Sequence, residues 1–160
     1  MNQPISMNEA VVSALYEEAL LLADEVRSAF DLNPVRDTGP AADRARLAMS
    51  VEGLRTTTRT MHVLAWLLNY RAFFAGEMSE FQLRRHSNLP VDRIAEPANL
   101  DLLDASIRDI IERTIRLHAR VARLDHSWRE RFDMHPAAIH RLQARLQERL
   151  RCAGGENVPA

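Results

Sequence analysis

Four arginines, Arg113, Arg116, Arg120 and Arg123, follow one another at spacings of three, four and three. On a helix this spacing lines them along one flank, because residues three and four apart are neighbours. A guanidinium presents a planar fork of N–H donors that grips a carboxylate with two hydrogen bonds, so such a flank suits the recognition of acidic protein surfaces. Two readings stand side by side. The stripe docks an acidic partner, or it answers acids of its own chain. The first 35 residues supply such acids, with Glu9, Glu17, Glu18, Asp24, Glu25 and Asp31 set against the single Arg27. Arg55 and Arg59 join the stripe as candidate partner-binding residues on condition that they are exposed.

Other chemistry is harder to find. Every one of the 21 Lys+Arg residues is arginine. Without lysine there is no Walker A contact to nucleotide phosphates and no Schiff base. The six histidines, His62, His86, His118, His126, His135 and His140, never stand four apart, so no two share a helix face as metal ligands. No Glu-x-x-His pair of the di-iron bundles occurs, and no G-x-S-x-G elbow. The run Thr56-Thr57-Thr58-Arg59-Thr60 reads as hydroxyls bonding to carbonyls one turn back. A chain with no catalytic, cofactor or metal residues is therefore expected. The formal net charge of −1 and the acidic first helix weigh against nucleic acid, which needs a basic field.

The same residues bear on location. Cys152 is the one cysteine, so no intrachain disulfide forms and a reducing compartment fits. The opening MNQPISMNEA lacks the basic and apolar regions of a signal peptide. The longest apolar run, 61–68, is broken by His62 and falls far short of the ~20 residues that span a bilayer. A cytoplasmic protein away from membranes is expected.

The elements that position these residues come from periodicity. Hydrophobic residues make up 46% of the chain, and they recur in steps of three and four, which specifies an all-α protein. A first helix starts at Ser6, with Glu9 completing a capping box, and carries Val12, Leu15, Ala19, Leu22, Val26 and Ala29. It ends before Asn33-Pro34. A second helix runs from about Ala41 to Ala75 with Gly76 at its C-cap. Its stripe is Leu47, Val51, Leu54, Thr58, Met61, Ala65, Leu68 and Ala72. A short turn begins at Ser79. A third helix from about Asp101 carries Leu103, Ile107, Ile110, Thr114, Leu117, Val121, Leu124 and Trp128. A last short helix starts at Pro136. The expected fold is one domain over 1–151, an antiparallel three-helix bundle with an added C-terminal helix, followed by a frayed tail over 152–160. From Met61 to Phe74 the second helix is apolar around most of its circumference. Trp66, Leu67, Tyr70, Phe73 and Phe74 are thus assigned to core or dimer contacts, and a homodimer is expected to cover what the bundle leaves open.

One stretch resembles a known family. Leu54-Arg55, Thr57-Thr58-Arg59, Ala65-Trp66-Leu67-Leu68, Arg71-Ala72 and Gly76-Glu77-Met78, with the later Arg120-Val121-Ala122-Arg123-Leu124-Asp125, are similar to the regulator-of-CtrA-degradation (RcdA-like) proteins. That resemblance implies a dimeric three-helix bundle acting as a non-enzymatic adaptor in bacterial cell-cycle control. Such an adaptor links selected substrates to a ClpXP-type AAA+ protease, and its partners are the ClpX-type unfoldase, a single-domain response regulator and the substrates. Residues 136–151 depart from the family's weakly ordered tail. The alternative expectation is a helical dimerisation or scaffold module unrelated to proteolysis.

Overall fold

The computed structural model describes residues 3–31 and 38–153, and side chains over 9–31 and 38–129. Every element among the described residues is a helix: α1 (Gln3–Asp31), α2 (Pro40–Phe74), α3 (Glu80–His86), α4 (Pro97–Leu100) and α5 (Ala105–Ala153). In α1 the expected stripe is the buried one, with Val12, Leu15, Ala19, Leu22 and Val26 all inside. The helix begins at Gln3, upstream of Ser6. Its first turn holds Pro4, where a missing N–H removes no helical bond, so the proline and not the capping box marks the start.

The second helix ends as its sequence dictates. Gly76 takes φ 77°, its N–H donates to the Phe73 carbonyl at 3.0 Å, and the Glu77 N–H donates to Ala72 at 2.9 Å. These two bonds form the Schellman motif, which a glycine at that position allows. Ser79 caps α3 with a reciprocal box to Gln82, also as expected.

The face that α2 buries is the reverse of the expected one. Ala48, Glu52, Gly53, Thr56, Arg59, Thr60, Val63, Trp66, Leu67 and Tyr70 point inward. Leu47, Leu54, Met61 and Leu68 of the expected core stripe are exposed, Leu54 at 71%. At 3.6 residues per turn these two sets fall on opposite sides of the helix. Both sides carry apolar residues, and the buried one also holds Glu52, Thr56, Arg59 and Thr60, so periodicity alone favours the side that stays outside. The aromatic bulk of Trp66 and Tyr70, stacked at 4.1 Å between ring centroids, favours their own side, because aromatic rings bury the most area.

Cross-helix contacts give the topology. Gly53 lets α1 come close, since a Cβ there would lie 2.8 Å from Phe30 Cδ1. At the other end of the pair the Arg71 guanidinium sits 4.3 Å above the Tyr16 ring. Ascending α2 therefore means descending α1, and the two run antiparallel. Arg113 bonds Glu25 and Arg120 bonds Glu18, so α5 is also antiparallel to α1. It follows that α2 and α5 run the same way.

The return segment 87–104, which contains α4, makes this possible. From the end of α3 the chain descends beside α2: Asn69 Nδ2 donates to the His86 carbonyl at 3.3 Å, Arg59 holds Asp92 and the Arg93 carbonyl, and Glu52 accepts from the Glu96 N–H and from Asn99. His118 Nε2 lies 3.0 Å from the Pro90 carbonyl on the α5 side. At the bottom, Ala48, Ala95, Leu103, Ile107 and Ile111 close a core against Phe30 and Leu100. Here Ile111 takes the buried place expected of Ile110.

A correction concerns the C-terminal part. The expected break before Pro136 is absent, and α5 runs unbroken from Ala105 to Ala153. One proline removes a single N–H donor, and the turns on either side keep their own bonds, so the helix continues through it. By its contacts the chain forms two compact units, 1–122 and 123–160, and α5 begins in the first and ends in the second. Within the second, Arg129 pairs with Asp125 one turn away at 3.0 Å. Cys152 and residues 154–160 of the expected tail lie outside the described side chains.

Candidate functional site

The arginine flank of α5 divides by pairing along its heptad spacing. Arg113 and Arg120 stand seven residues apart, as do Glu25 and Glu18 on the facing helix, so antiparallel packing brings both pairs together at once. Arg113 grips Glu25 through both terminal nitrogens, at 2.5 and 3.0 Å. Arg120 Nη1 reaches both oxygens of Glu18, at 2.7 and 2.9 Å. The hydrogen bond from Arg113 is the main influence that holds the Glu25 carboxyl below its usual range, partial desolvation opposing it. The same bond raises Arg113. Among the described residues Arg116 pairs with Glu112 alone, one turn earlier on its own helix, at 3.3 Å and well exposed. Arg123 is exposed with no carboxylate within salt-bridge reach among the described residues.

Arg59 does not meet the condition of exposure. Its side chain is buried and uses three nitrogens: Nε to Asp92 at 2.7 Å, Nη1 to the Thr114 hydroxyl at 2.9 Å, and Nη2 to the Arg93 carbonyl at 3.2 Å. One guanidinium thereby joins α2, the return segment and α5. Arg55 is partly covered and bonds Glu52 at 2.6 Å. Glu52 in turn accepts from the Glu96 N–H and Asn99 through Oε1, while its other oxygen is buried without a hydrogen-bond partner. Thr60 bonds back to the Thr56 carbonyl at 2.8 Å, as expected of the threonine run. The Thr56 hydroxyl is buried and unpaired.

The residues assigned to core or dimer contacts also separate. Trp66, Leu67 and Tyr70 belong to the core of the single chain, and Phe73 and Phe74 are half-buried at the end of α2. What remains outside is a line of Leu47, Leu54, Met61 and Leu68, one residue per heptad over about 32 Å of helix, with exposed Thr58 and Ala65 between them and half-buried Val51 and Ala72 beside it. A stripe of that period is the seam along which a second helix packs. Exposed apolar residues scattered singly are ordinary, but a continuous line of them marks an interaction face.

Sequence reasoning passed over the return segment. Its Val91 and Ile94 are 93% and 87% exposed, on backbone pinned from behind by Arg59 and Glu52. The available signal was polar: Glu52, Arg55 and Arg59 recur at helical spacing on the side of α2 that also carries Val63 and Trp66, where charge has no place unless something pairs with it.

Among the described residues no group of three His, Cys, Asp or Glu stands close enough to hold a metal ion. No described helix is long and apolar enough to cross a membrane. Residues 4–150 match the family described as "Protein of unknown function (DUF1465)". No curated protein and no solved structure matches the chain.

Proposed function

We propose that this chain, which belongs to the DUF1465 family, is a non-enzymatic cytoplasmic adaptor: a homodimer that links selected substrates to a ClpXP-type AAA+ protease in bacterial cell-cycle control. The observation that carries the reading is the outward stripe of α2. A helical chain that leaves Leu47, Leu54, Met61 and Leu68 open at heptad spacing is suited to completion by another helix, and a second copy supplies an identical seam under two-fold symmetry. Leu54, Thr58, Leu68 and Ala72 of that stripe are among the residues that resemble RcdA-like adaptors, which supports the same reading.

An adaptor of this kind acts through effective concentration. Holding substrate and protease on one body turns their encounter into an intramolecular event. Partner contacts then fall to exposed charge outside the bundle, and Arg116 and Arg123 are the two members of the α5 flank that Glu18 and Glu25 do not engage.

A reconstituted degradation assay tests the proposal. Purified ClpXP, its single-domain response regulator and a cell-cycle substrate are combined with and without this protein. Faster substrate loss in its presence is expected. An unchanged rate, together with an affinity purification that recovers no unfoldase, overturns the proposal and leaves a scaffold role.

A further inference from the structure

The exposed line of α2 is uneven in size. Leu47, Leu54, Met61 and Leu68 are large and largely uncovered. The residues that share the face with them are smaller: Thr58 and Ala65 are exposed, and Val51 and Ala72 half-buried. Two identical helices can meet along such a face in two directions. In a parallel pair each residue faces its own copy. Layers of leucine on leucine then alternate with layers of alanine on alanine, and no single spacing between the helices fills both. In an antiparallel pair large residues can face small ones, which keeps every layer near one thickness.

One antiparallel register achieves this for the whole line. Leu47 faces Ala72 of the second copy, and Leu54 faces Ala65. Met61 faces Thr58, and Leu68 faces Val51. Two-fold symmetry makes each of these pairs occur twice. A shift by one heptad breaks the set. In one direction it brings Leu68 against the charge of Arg44, and in the other it leaves Leu47 facing Ser79, beyond the end of α2.

Charge separates the two directions as well. Arg44 lies on the same face of α2, one turn before Leu47, and Glu77 lies in the turn that follows the helix. Both are exposed, and neither has an opposite charge within salt-bridge reach among the described residues. A parallel pair sets Arg44 against its own copy, which is repulsive. The antiparallel register sets it at the C-terminal end of the other α2, where the helix dipole is negative and Glu77 stands near.

We propose that two copies of the chain join through α2 in the antiparallel sense, about a two-fold axis level with Arg59 and Thr60, with Arg44 of each beside Glu77 of the other. This arrangement rests on the homodimer proposed above and adds its direction and register. It also gives a use to the cleft of about 420 Å³ between α2 and the return segment, which Leu54, Thr58 and His62 line on one side and Pro90 and Val91 on the other. Met61 of the second copy meets Thr58, so its flexible thioether stands at the mouth of this cleft, a shape that methionine fills well.

Cysteine crosslinking tests the direction. In a Cys152→Ser background, which removes the one native cysteine, three full-length variants are treated with a short bismaleimide: Leu47→Cys, Ala72→Cys and the two combined. A crosslinked dimer is expected from the combined variant and none from either single one. In the antiparallel register the two copies of position 47 lie about 38 Å apart along the pair, as do those of position 72, and the same distance separates 47 from 72 within one chain. Crosslinking of either single variant shows parallel helices and overturns the proposal while leaving the homodimer standing. A combined variant that is dimeric by light scattering yet does not crosslink overturns it too. The charge pair gives a second reading with the apolar line intact. Arg44→Glu and Glu77→Arg are each expected to weaken the dimer about tenfold, and together to restore it, because two symmetric surface pairs are broken and then remade. Single changes without effect, or a double change that does not restore, overturn the register. A wild type that is monomeric at micromolar concentration overturns the homodimer and this arrangement with it.

Discussion

Replacing Arg59 by leucine is the perturbation from which the account predicts the largest effect. The guanidinium is buried and makes three bonds to two separate elements. Removing one partner of a buried ion pair leaves the other unpaired, at about 3–5 kcal/mol. The Asp92 side chain is 21% exposed, so water reaches the abandoned carboxylate and this part falls to about 2 kcal/mol. The Thr114 hydroxyl keeps its bond to the Ile111 carbonyl, whereas the Arg93 carbonyl loses its donor, adding about 1 kcal/mol. The sum is about 3 kcal/mol. Urea unfolding followed by circular dichroism measures it as a lower midpoint at constant m-value. Hydrogen exchange should quicken first at the Glu96 amide, which the return segment holds against Glu52. Adding Asp92→Asn should recover roughly half of the loss, because the unpaired charge is then gone. A loss under about 1 kcal/mol, or strict additivity of the two substitutions, would refute the view that this pair pins the return segment.

Three further outcomes follow from single contacts. Gly53→Ala should destabilise despite alanine's advantage of about 1 kcal/mol in a helix, because its Cβ would strike the Phe30 ring; Phe30→Leu should then reverse the sign, as thermal unfolding of both variants would show. Thr56→Val should be neutral or stabilising by up to about 1 kcal/mol in urea, since it removes a buried hydroxyl with no partner while keeping the shape. For the Glu25–Arg113 pair the folded carboxyl titrates below its ordinary value of 4.5. Its contribution is therefore present above that value and lost as pH falls through the lowered one. Both side chains are half-exposed, which limits the pair to under about 1 kcal/mol. The stability difference between wild type and Glu25→Gln should be measurable at neutral pH and shrink as pH falls below 4.5.

Local signals were legible where one principle acted alone. The α1 stripe, the Gly76 terminus and the Ser79 cap each follow from spacing or from one residue's backbone freedom, and each stands as expected. The α2 stripe failed because two principles competed. Both faces of that helix carry apolar residues, the buried one interrupted by Glu52, Thr56, Arg59 and Thr60, and the choice rests on where Trp66 and Tyr70 find neighbours, which one chain's periodicity does not contain. The arginine flank shows a middle case. Its spacing put Arg113 and Arg120 on one side, but their pairing with Glu25 and Glu18 depends on the antiparallel register of two helices distant in sequence. The cleft beside α2 was not legible at all, since the return segment has no periodicity and is placed by the buried charges of Glu52 and Arg59.

Light scattering coupled to size exclusion tests the central claim, that the open seam of α2 is the assembly face. Wild type should elute at twice the chain mass at micromolar concentration. The variant Leu54→Glu with Met61→Glu, two exposed positions one heptad apart, should elute as a monomer with unchanged helical circular dichroism. A monomeric wild type, or a double variant that stays dimeric, would contradict the account.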